Sequence, residues 1–172
     1  LNQNPFIGLL GKLENDLTDG LVYLLRASKD MKMKFVKFLA HRAKADRRIP
    51  QKPHEVIIEK QKAISPDSRS KNVPDITIKL QEDKYWFVIE NKLDSEPKLK
   101  QLENYRKQLL HIRQTGKIVC ISRTDPSKYI KRSLIHISWK EIYDLIDKAE
   151  IEEEMSALKE DFLVFMKSLG AC

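Results

Sequence analysis

Two runs of β-branched and aromatic residues, held apart by four polar ones, constrain this chain more than any other feature. Ile76-Thr77-Ile78-Lys79-Leu80 and Tyr85-Trp86-Phe87-Val88-Ile89 flank Gln81-Glu82-Asp83-Lys84. Side chains of these types suit a pleated, half-buried surface, and so short a polar link turns two such runs into an antiparallel hairpin. Pairing Leu80 with Tyr85 sets the register of every residue outward from the turn and brings Asp75 opposite Glu90. Residues directly opposite share a face with Cβ atoms about 4.5–5.5 Å apart. Two carboxylates so placed repel, and a divalent cation or a shared proton relieves the repulsion. Lys92 follows Glu90 by two positions and emerges on the same face. The hairpin therefore gathers two acids and one amine; a slip of one residue would scatter them to opposite faces.

The 172 residues suit a single domain, 1–172, with a proper core. The chain begins at Leu1 rather than Met, which leaves room for flanking modules. A net charge of +7 and an isoelectric point near 9.3 match a nucleic-acid footprint, although the basic residues are spread among many acids rather than gathered in a tail. Only Cys120 and Cys172 are present, giving no disulfide framework and no zinc spacing; Cys120 lies in the apolar run Ile118-Val119-Cys120-Ile121 and reads as a small buried hydrophobe. A reducing, cytoplasmic setting is expected. No stretch reads as a signal peptide or a membrane span.

Around the hairpin the chain alternates helical and strand patterns. Asn4-Pro5 can open a helix, and Leu10, Leu13, Leu17, Leu21 and Leu24 continue it as a buried stripe. Gly11 and Gly20 weaken this element, and a break near Thr18 is expected. Glu14 borders the stripe, where a carboxylate needs a partner or water. A second helix spans 28–45, with Met31, Phe35, Phe38 and Leu39 inward, and runs on to Arg47 and Arg48. Its other face carries Lys29, Lys32, Lys34, Lys37, Arg42 and Lys44, a surface either simply solvated or fit to neutralise phosphates. After Pro50 and Pro53, a strand is expected over 56–62, with Glu59 turned toward the acid pair. The loop 65–72 delivers the chain into Asp75 and should hang Arg69 and Lys71 near the acids.

Beyond the hairpin, Ser95 and Pro97 signal a helix with Leu99, Leu102, Leu109 and Ile112 inward, ended by Gly116. Gln101 and Tyr105, four apart, share one of its faces. Strands follow over 117–122 and 134–137. Ser138 and Glu141 have capping-box spacing for the next helix. A last helix over 152–169 is acidic at its start and carries Lys167 near its end. The four histidines show no ligand spacing. The order is ααβββαββαα, an α/β chain whose natural packing is a central mixed sheet of about five strands flanked by helices.

These residues resemble the PD-(D/E)xK nuclease superfamily. Pro74-Asp75 is similar to its first motif and Glu90-Asn91-Lys92 to its second. Gln101 and Tyr105 match the Q-x-x-x-Y element that many members carry on the following helix. Glu14-Asn15-Asp16-Leu17-Thr18 resembles the E-x-x-L-T segment of one subgroup, and the stretch from Ile137-Ser138-Trp139 is similar to that subgroup as well. The resemblance covers nearly the whole chain and implies the restriction-endonuclease-like core. It further implies that Asp75, Glu90 and the Asn91 carbonyl hold Mg²⁺ or Mn²⁺ and that Glu14 reaches the same ion directly or through water. Lys92 would orient and activate the attacking water, while Gln101 and Tyr105 orient these groups or touch the substrate backbone.

The function expected is hydrolysis of DNA phosphodiester bonds, endonucleolytic and with little base specificity. Three alternatives stand beside it: a nucleic-acid-binding module of this fold that cleaves nothing, an RNA-directed nuclease, and an interaction domain whose basic helix docks an acidic partner. Cutting both strands with one site per chain makes a homodimer a fair expectation. Defence, repair and mobile-element processing all use this fold.

Overall fold

The computed structural model describes residues 13–64, 73–80, 85–93, 95, 98–123 and 134–171. Helices α1 (Leu13–Ala27) and α2 (Lys29–Arg42) lead, by way of short 3-10 turns at Asp46–Arg48 and Pro53–Glu55, into β1 (Val56–Lys60), β2 (Ile76–Leu80) and β3 (Tyr85–Asn91). Then come α3 (Leu99–His111), β4 (Thr115–Ile121), β5 (Leu134–Ile137), α4 (Trp139–Asp147), a 3-10 turn at Glu153–Met155 and α5 (Ser156–Ser168). The element order is the one the patterning dictates. The five strands form one mixed sheet in the order β1-β2-β3-β4-β5, with β1, β2 and β3 antiparallel and β3, β4 and β5 parallel.

The hairpin register is the expected one: Leu80 faces Tyr85 and the ladder runs to Ile76 opposite Ile89. Alternation then sorts the sheet into two faces. One carries Ile58, Ile76, Ile78, Phe87, Ile89, Val119 and Ile121 into the main core, shared with Leu17, Leu21 and Leu24 of α1, Phe35 and Leu39 of α2, Trp139 and Ile142 of α4 and Phe162 and Met166 of α5. The other presents Val88 and Ile118 to Leu102, Tyr105 and Leu109 of α3. Helices thus cover both faces, because a mixed sheet with β-branched residues on each side must be covered on each side.

Several local expectations give way to tertiary contacts. Helix α1 does not break at Thr18; the Thr18 hydroxyl donates to the Glu14 carbonyl one turn back at 2.9 Å, and Leu17, Leu21, Leu24 and Leu25 are fully buried. Strand β1 stops at Lys60, because Gln61 adopts a left-handed backbone (φ 45°) and gives its N–H to the Asp75 carbonyl. Helix α2 stops at Arg42 instead of continuing to Ala45. Lys44 turns left-handed (φ 54°), with Ala45 N–H bonded to the Ala40 carbonyl and Lys44 N–H to the His41 carbonyl, the paired bonds of a Schellman ending. Phe38, expected inward, is only half buried.

Helix α3 ends the same way at Arg113 (φ 54°), with Gln114 N–H on Leu109 and Arg113 N–H on Leu110. Its cap is Lys98, and Leu99, expected inward, is 37% exposed. A left-handed conformation costs a Cβ-bearing residue about 1–2 kcal/mol and glycine nothing. Arg113→Gly should therefore raise stability by roughly 1 kcal/mol in urea denaturation; an unchanged or lower midpoint would contradict the strain.

Gly116 does not end α3. It lies inside β4 opposite Trp86, where a Cβ would meet the Trp86 carbonyl oxygen at 2.3 Å. Backbone on backbone cannot yield as a side chain tip can. Gly116→Ala should cost about 3 kcal/mol or more, read as a drop in thermal midpoint; wild-type stability in this variant would mean that β3 and β4 are not paired in this register.

The acids before α5 also have another task. The Glu152 carboxylate accepts from the Ser28 hydroxyl and from the Lys29 and Asp30 N–H groups, at 2.8 and 3.2 Å for the latter two, so it caps α2 and does not open α5. Both edges of the sheet carry an arginine: Arg26 donates to the Ile58 carbonyl of β1 at 2.8 Å and Arg42 to the His136 carbonyl of β5 at 2.7 Å. Outward carbonyls engaged in this way are less open to pairing with another chain.

Candidate active site

The ladder carries Asp75 and Glu90 to the same end of the sheet, the end from which α3 and α4 depart. Asp75 stands just before β2, and one of its carboxylate oxygens accepts the Asn91 backbone N–H at 2.7 Å. Glu90, near the end of β3, is only 2% exposed and is fully engaged. Its Oε1 accepts from Gln101 Nε2 at 2.9 Å and pairs with Lys92 Nζ at 3.0 Å, while its Oε2 lies 2.8 Å from the Tyr105 hydroxyl. That hydroxyl also lies 3.0 Å from the Val73 carbonyl and accepts from Gln101 Nε2 at 2.7 Å. Gln101 and Tyr105, stacked one turn apart on α3, therefore clamp one carboxylate in a single orientation, as their spacing predicts.

Lys92 links the hairpin to α1. Its ammonium lies 2.8 Å from Glu14 Oε1, and the other Glu14 oxygen accepts the Leu93 N–H at 3.1 Å. The Lys92 main chain is pinned on both sides, by its own N–H on the Ile121 carbonyl at 2.7 Å and by the Trp139 indole donating to its carbonyl at 3.1 Å. Asn91 turns to the opposite face of the sheet, fully buried, and its amide donates to the Thr18 hydroxyl at 2.8 Å. Two residues of α1, Glu14 and Thr18, one turn apart, thus hold the last residue of β3 and the lysine that follows it.

The electrostatics follow from burial. Desolvation, reinforced by the neighbouring Glu90 charge, raises the Asp75 carboxyl to about 7, against the smaller opposing pull of the Asn91 N–H and Lys92. Burial alone would lower the Lys92 amine, but Glu14 and Glu90 outweigh it and hold the amine charged, above its ordinary value. Burial and the Glu90 carboxylate push the Tyr105 phenol up, so it stays protonated and can donate. Cys120, beside Glu90 on β4, is raised to about 11, chiefly by burial, and is a neutral thiol.

Asp75, Glu90, Lys92, Glu14, Gln101 and Tyr105 are thus brought together. Arg69 and Lys71 lie outside the described residues. Glu59 shares the acids' face of the sheet but is held by Lys62 and Lys79. Four supporting parts had no role assigned from the sequence: Thr18, Val73, Trp139 and the Asn91 amide. Thr18 and Trp139 lie in stretches that carry the resemblance, whereas Val73 and the Asn91 amide carried no signal.

The donor set suits a hard cation. Among the described residues, no group of three or more His, Cys, Asp or Glu side chains is placed to enclose an ion. Mg²⁺ needs less than that, since it keeps several waters and is commonly bound by one or two carboxylates. Asp75, raised chiefly by burial and further by the Glu90 charge, and the buried Glu90 beside it leave a negative-charge excess that such an ion would relieve. No protein-family model, curated protein or solved structure matches the chain.

Proposed function

We propose that this chain is a metal-dependent nuclease of the PD-(D/E)xK type, hydrolysing phosphodiester bonds of DNA with little base specificity. The observation that carries the reading is the Lys92 ammonium, seated between Glu14 and Glu90 at 2.8 and 3.0 Å beside an Asp75 carboxyl that resists ionisation. A structural ion pair needs one acid per amine. Here two acids pair with one amine and a third, the buried Asp75, lies within range of both charges, an arrangement costly to folding and useful to chemistry.

Asp75, Glu90 and the Asn91 carbonyl, joined by Glu14, would hold Mg²⁺ or Mn²⁺. Bound there, the ion would supply Lewis acidity and a water of lowered pKa. The chain's own residues do the rest. Tyr105 and Gln101 keep Glu90 in one rotamer. Glu14 and the pinned main chain aim the Lys92 ammonium, which can donate to an attacking hydroxide and to a phosphoryl oxygen. The basic excess of the chain draws the polyanion in.

The test is cleavage of supercoiled plasmid, single-stranded DNA and RNA across a Mg²⁺ and Mn²⁺ titration. Nicking or linearisation of plasmid that EDTA abolishes is the expected result. Binding without any metal-dependent turnover would reject the nuclease reading and leave a binding module.

A further inference from the structure

The line of side chains that begins with the acid pair does not end at Glu90. In the parallel ladders Glu90 stands opposite Cys120 of β4, and Cys120 opposite His136 of β5. Asp75 precedes the β2–β3 ladder by one position. Residues in register project to the same face, so Asp75, Glu90, Cys120 and His136 form one line across four strands, on the face that α3 covers. The next line outward holds Lys92 and Ser122, each two residues beyond its neighbour in the first. The line inward, Thr77, Val88 and Ile118, is buried, the last two against Leu102, Tyr105 and Leu109. Asp75 and His136, the two ends of the acid line, are partly exposed, while Glu90 and Cys120 between them are buried.

His136 leans toward the end of the sheet that carries the acids. Its Nε2 lies 3.3 Å from the Ser122 carbonyl oxygen, which can only accept, a contact that favours a proton on this nitrogen; the Ser122 hydroxyl is 3.1 Å away. The Cys120 thiol donates to that hydroxyl at 3.8 Å and lies within electrostatic range of Glu90, Lys92 and Asp75. A continuous polar path therefore joins the acid cluster to His136. The charged and titratable groups about the imidazole are Cys120 of β4, a neutral thiol, Glu141 of α4, within electrostatic range, and Arg42 of α2, which bonds both Glu141 and the His136 carbonyl.

We infer that His136, steadied by Ser122, binds a phosphate of the substrate strand that flanks the one cut at Asp75 and Glu90. Two strand spacings of about 4.7–4.9 Å separate Glu90 from His136. At about 3.4 Å of rise per nucleotide, the phosphate touched lies within about three nucleotides of the cut. An imidazolium carries a donor on each ring nitrogen, and the charge of a phosphate favours that form. The contact reads charge and not base, as low base specificity requires. A histidine and a serine that only satisfied each other would make cleavage depend on no phosphate beyond the one cut. This contact deepens the nuclease reading and rests on it for its substrate.

The experiment uses an end-labelled mixed-sequence DNA duplex in which one internal phosphate is replaced by an uncharged methylphosphonate. Wild type, His136→Ala and His136→Gln cut it in Mg²⁺ or Mn²⁺, and the cut positions are mapped relative to the replacement. In the wild type the bond at the replacement itself should resist. Cutting at one fixed offset from it should also fall about tenfold or more, the worth of a hydrogen bond to a charged oxygen. His136→Ala should cut the all-phosphate duplex about tenfold more slowly and lose the discrimination at that offset alone, still failing at the replacement itself. His136→Gln can still donate to Ser122 but carries no charge, so it should weaken the same offset, and it serves where the alanine variant does not fold. A histidine that only supports the fold would slow cutting everywhere and leave the pattern unaltered; that result, or cutting at the parental rate, would overturn the contact. Absence of metal-dependent cutting by the wild type would overturn the nuclease reading and the contact with it, whereas cutting with an unaltered pattern overturns the contact alone.

Discussion

Lys92→Met should cut plasmid cleavage by about a thousandfold while Mg²⁺ still binds. A positioned charge facing a developing negative centre in a dry site contributes about 10²–10³ in rate, and proton donation from the same group adds to it. The variant should also lose stability. The Lys92 side chain is 15% exposed and its Glu90 partner 3%, so removing the amine leaves buried carboxylates without a counter-charge. Breaking such a pair costs about 3–5 kcal/mol where burial is complete and less here, because Glu14 is 29% exposed. Mg²⁺ replaces part of the missing charge, so the thermal midpoint of the variant should rise more on adding Mg²⁺ than that of the wild type. The checks are steady-state cleavage of supercoiled plasmid and thermal unfolding with and without the ion. A variant that cuts at the parental rate would remove Lys92 from the mechanism.

Asp75→Asn should abolish cleavage and, in EDTA at pH 8, make the protein more stable. The folded metal-free protein holds this carboxyl at about 7, against 3.8 for the unperturbed group. The folded state therefore binds the extra proton between those values, and stability falls as pH rises from about 4 to about 7. Above that window both states are ionised and the full cost remains, roughly 2–4 kcal/mol from the size of the shift. Asparagine removes the charge, and its side-chain oxygen can still accept the Asn91 N–H. The variant should lack the wild type's loss of midpoint over that window and should no longer gain stability from millimolar Mg²⁺, a gain that in the wild type follows the ratio of ion to dissociation constant. Calorimetry of Mg²⁺ binding to the wild type near pH 6.5 should show proton release. If the metal-free wild type is equally stable at pH 5 and pH 8, the desolvated acid pair does not exist as described.

The parts of the site that are local in sequence were legible there. Period-two alternation and a four-residue link define the hairpin, and with it the pairing of Leu80 and Tyr85 that carries Asp75 toward Glu90 and Lys92. Helical periodicity likewise put Gln101 and Tyr105 on one face of α3, and Glu14 at the border of the leucine stripe of α1. Helix ends were read less well. Glycine is the usual sign of a left-handed stop, but Lys44 and Arg113 take that conformation and Gly116 does not stop a helix at all.

What the amino-acid order determined by itself was which residues share a face, because a strand repeats every two residues and a helix every 3.6. Which faces meet was decided only by packing. Glu152 caps a helix that begins more than a hundred residues earlier, Trp139 holds the Lys92 carbonyl, and Gly116 is required by a carbonyl from a parallel neighbour. Helices α2 and α4, far apart in the chain, share the main core on one face of the sheet. The physical reason is one of range. Local periodicity follows from backbone geometry and is written into any short window of residues, whereas a contact between distant segments depends on how the whole hydrophobic core closes, and no short window contains that.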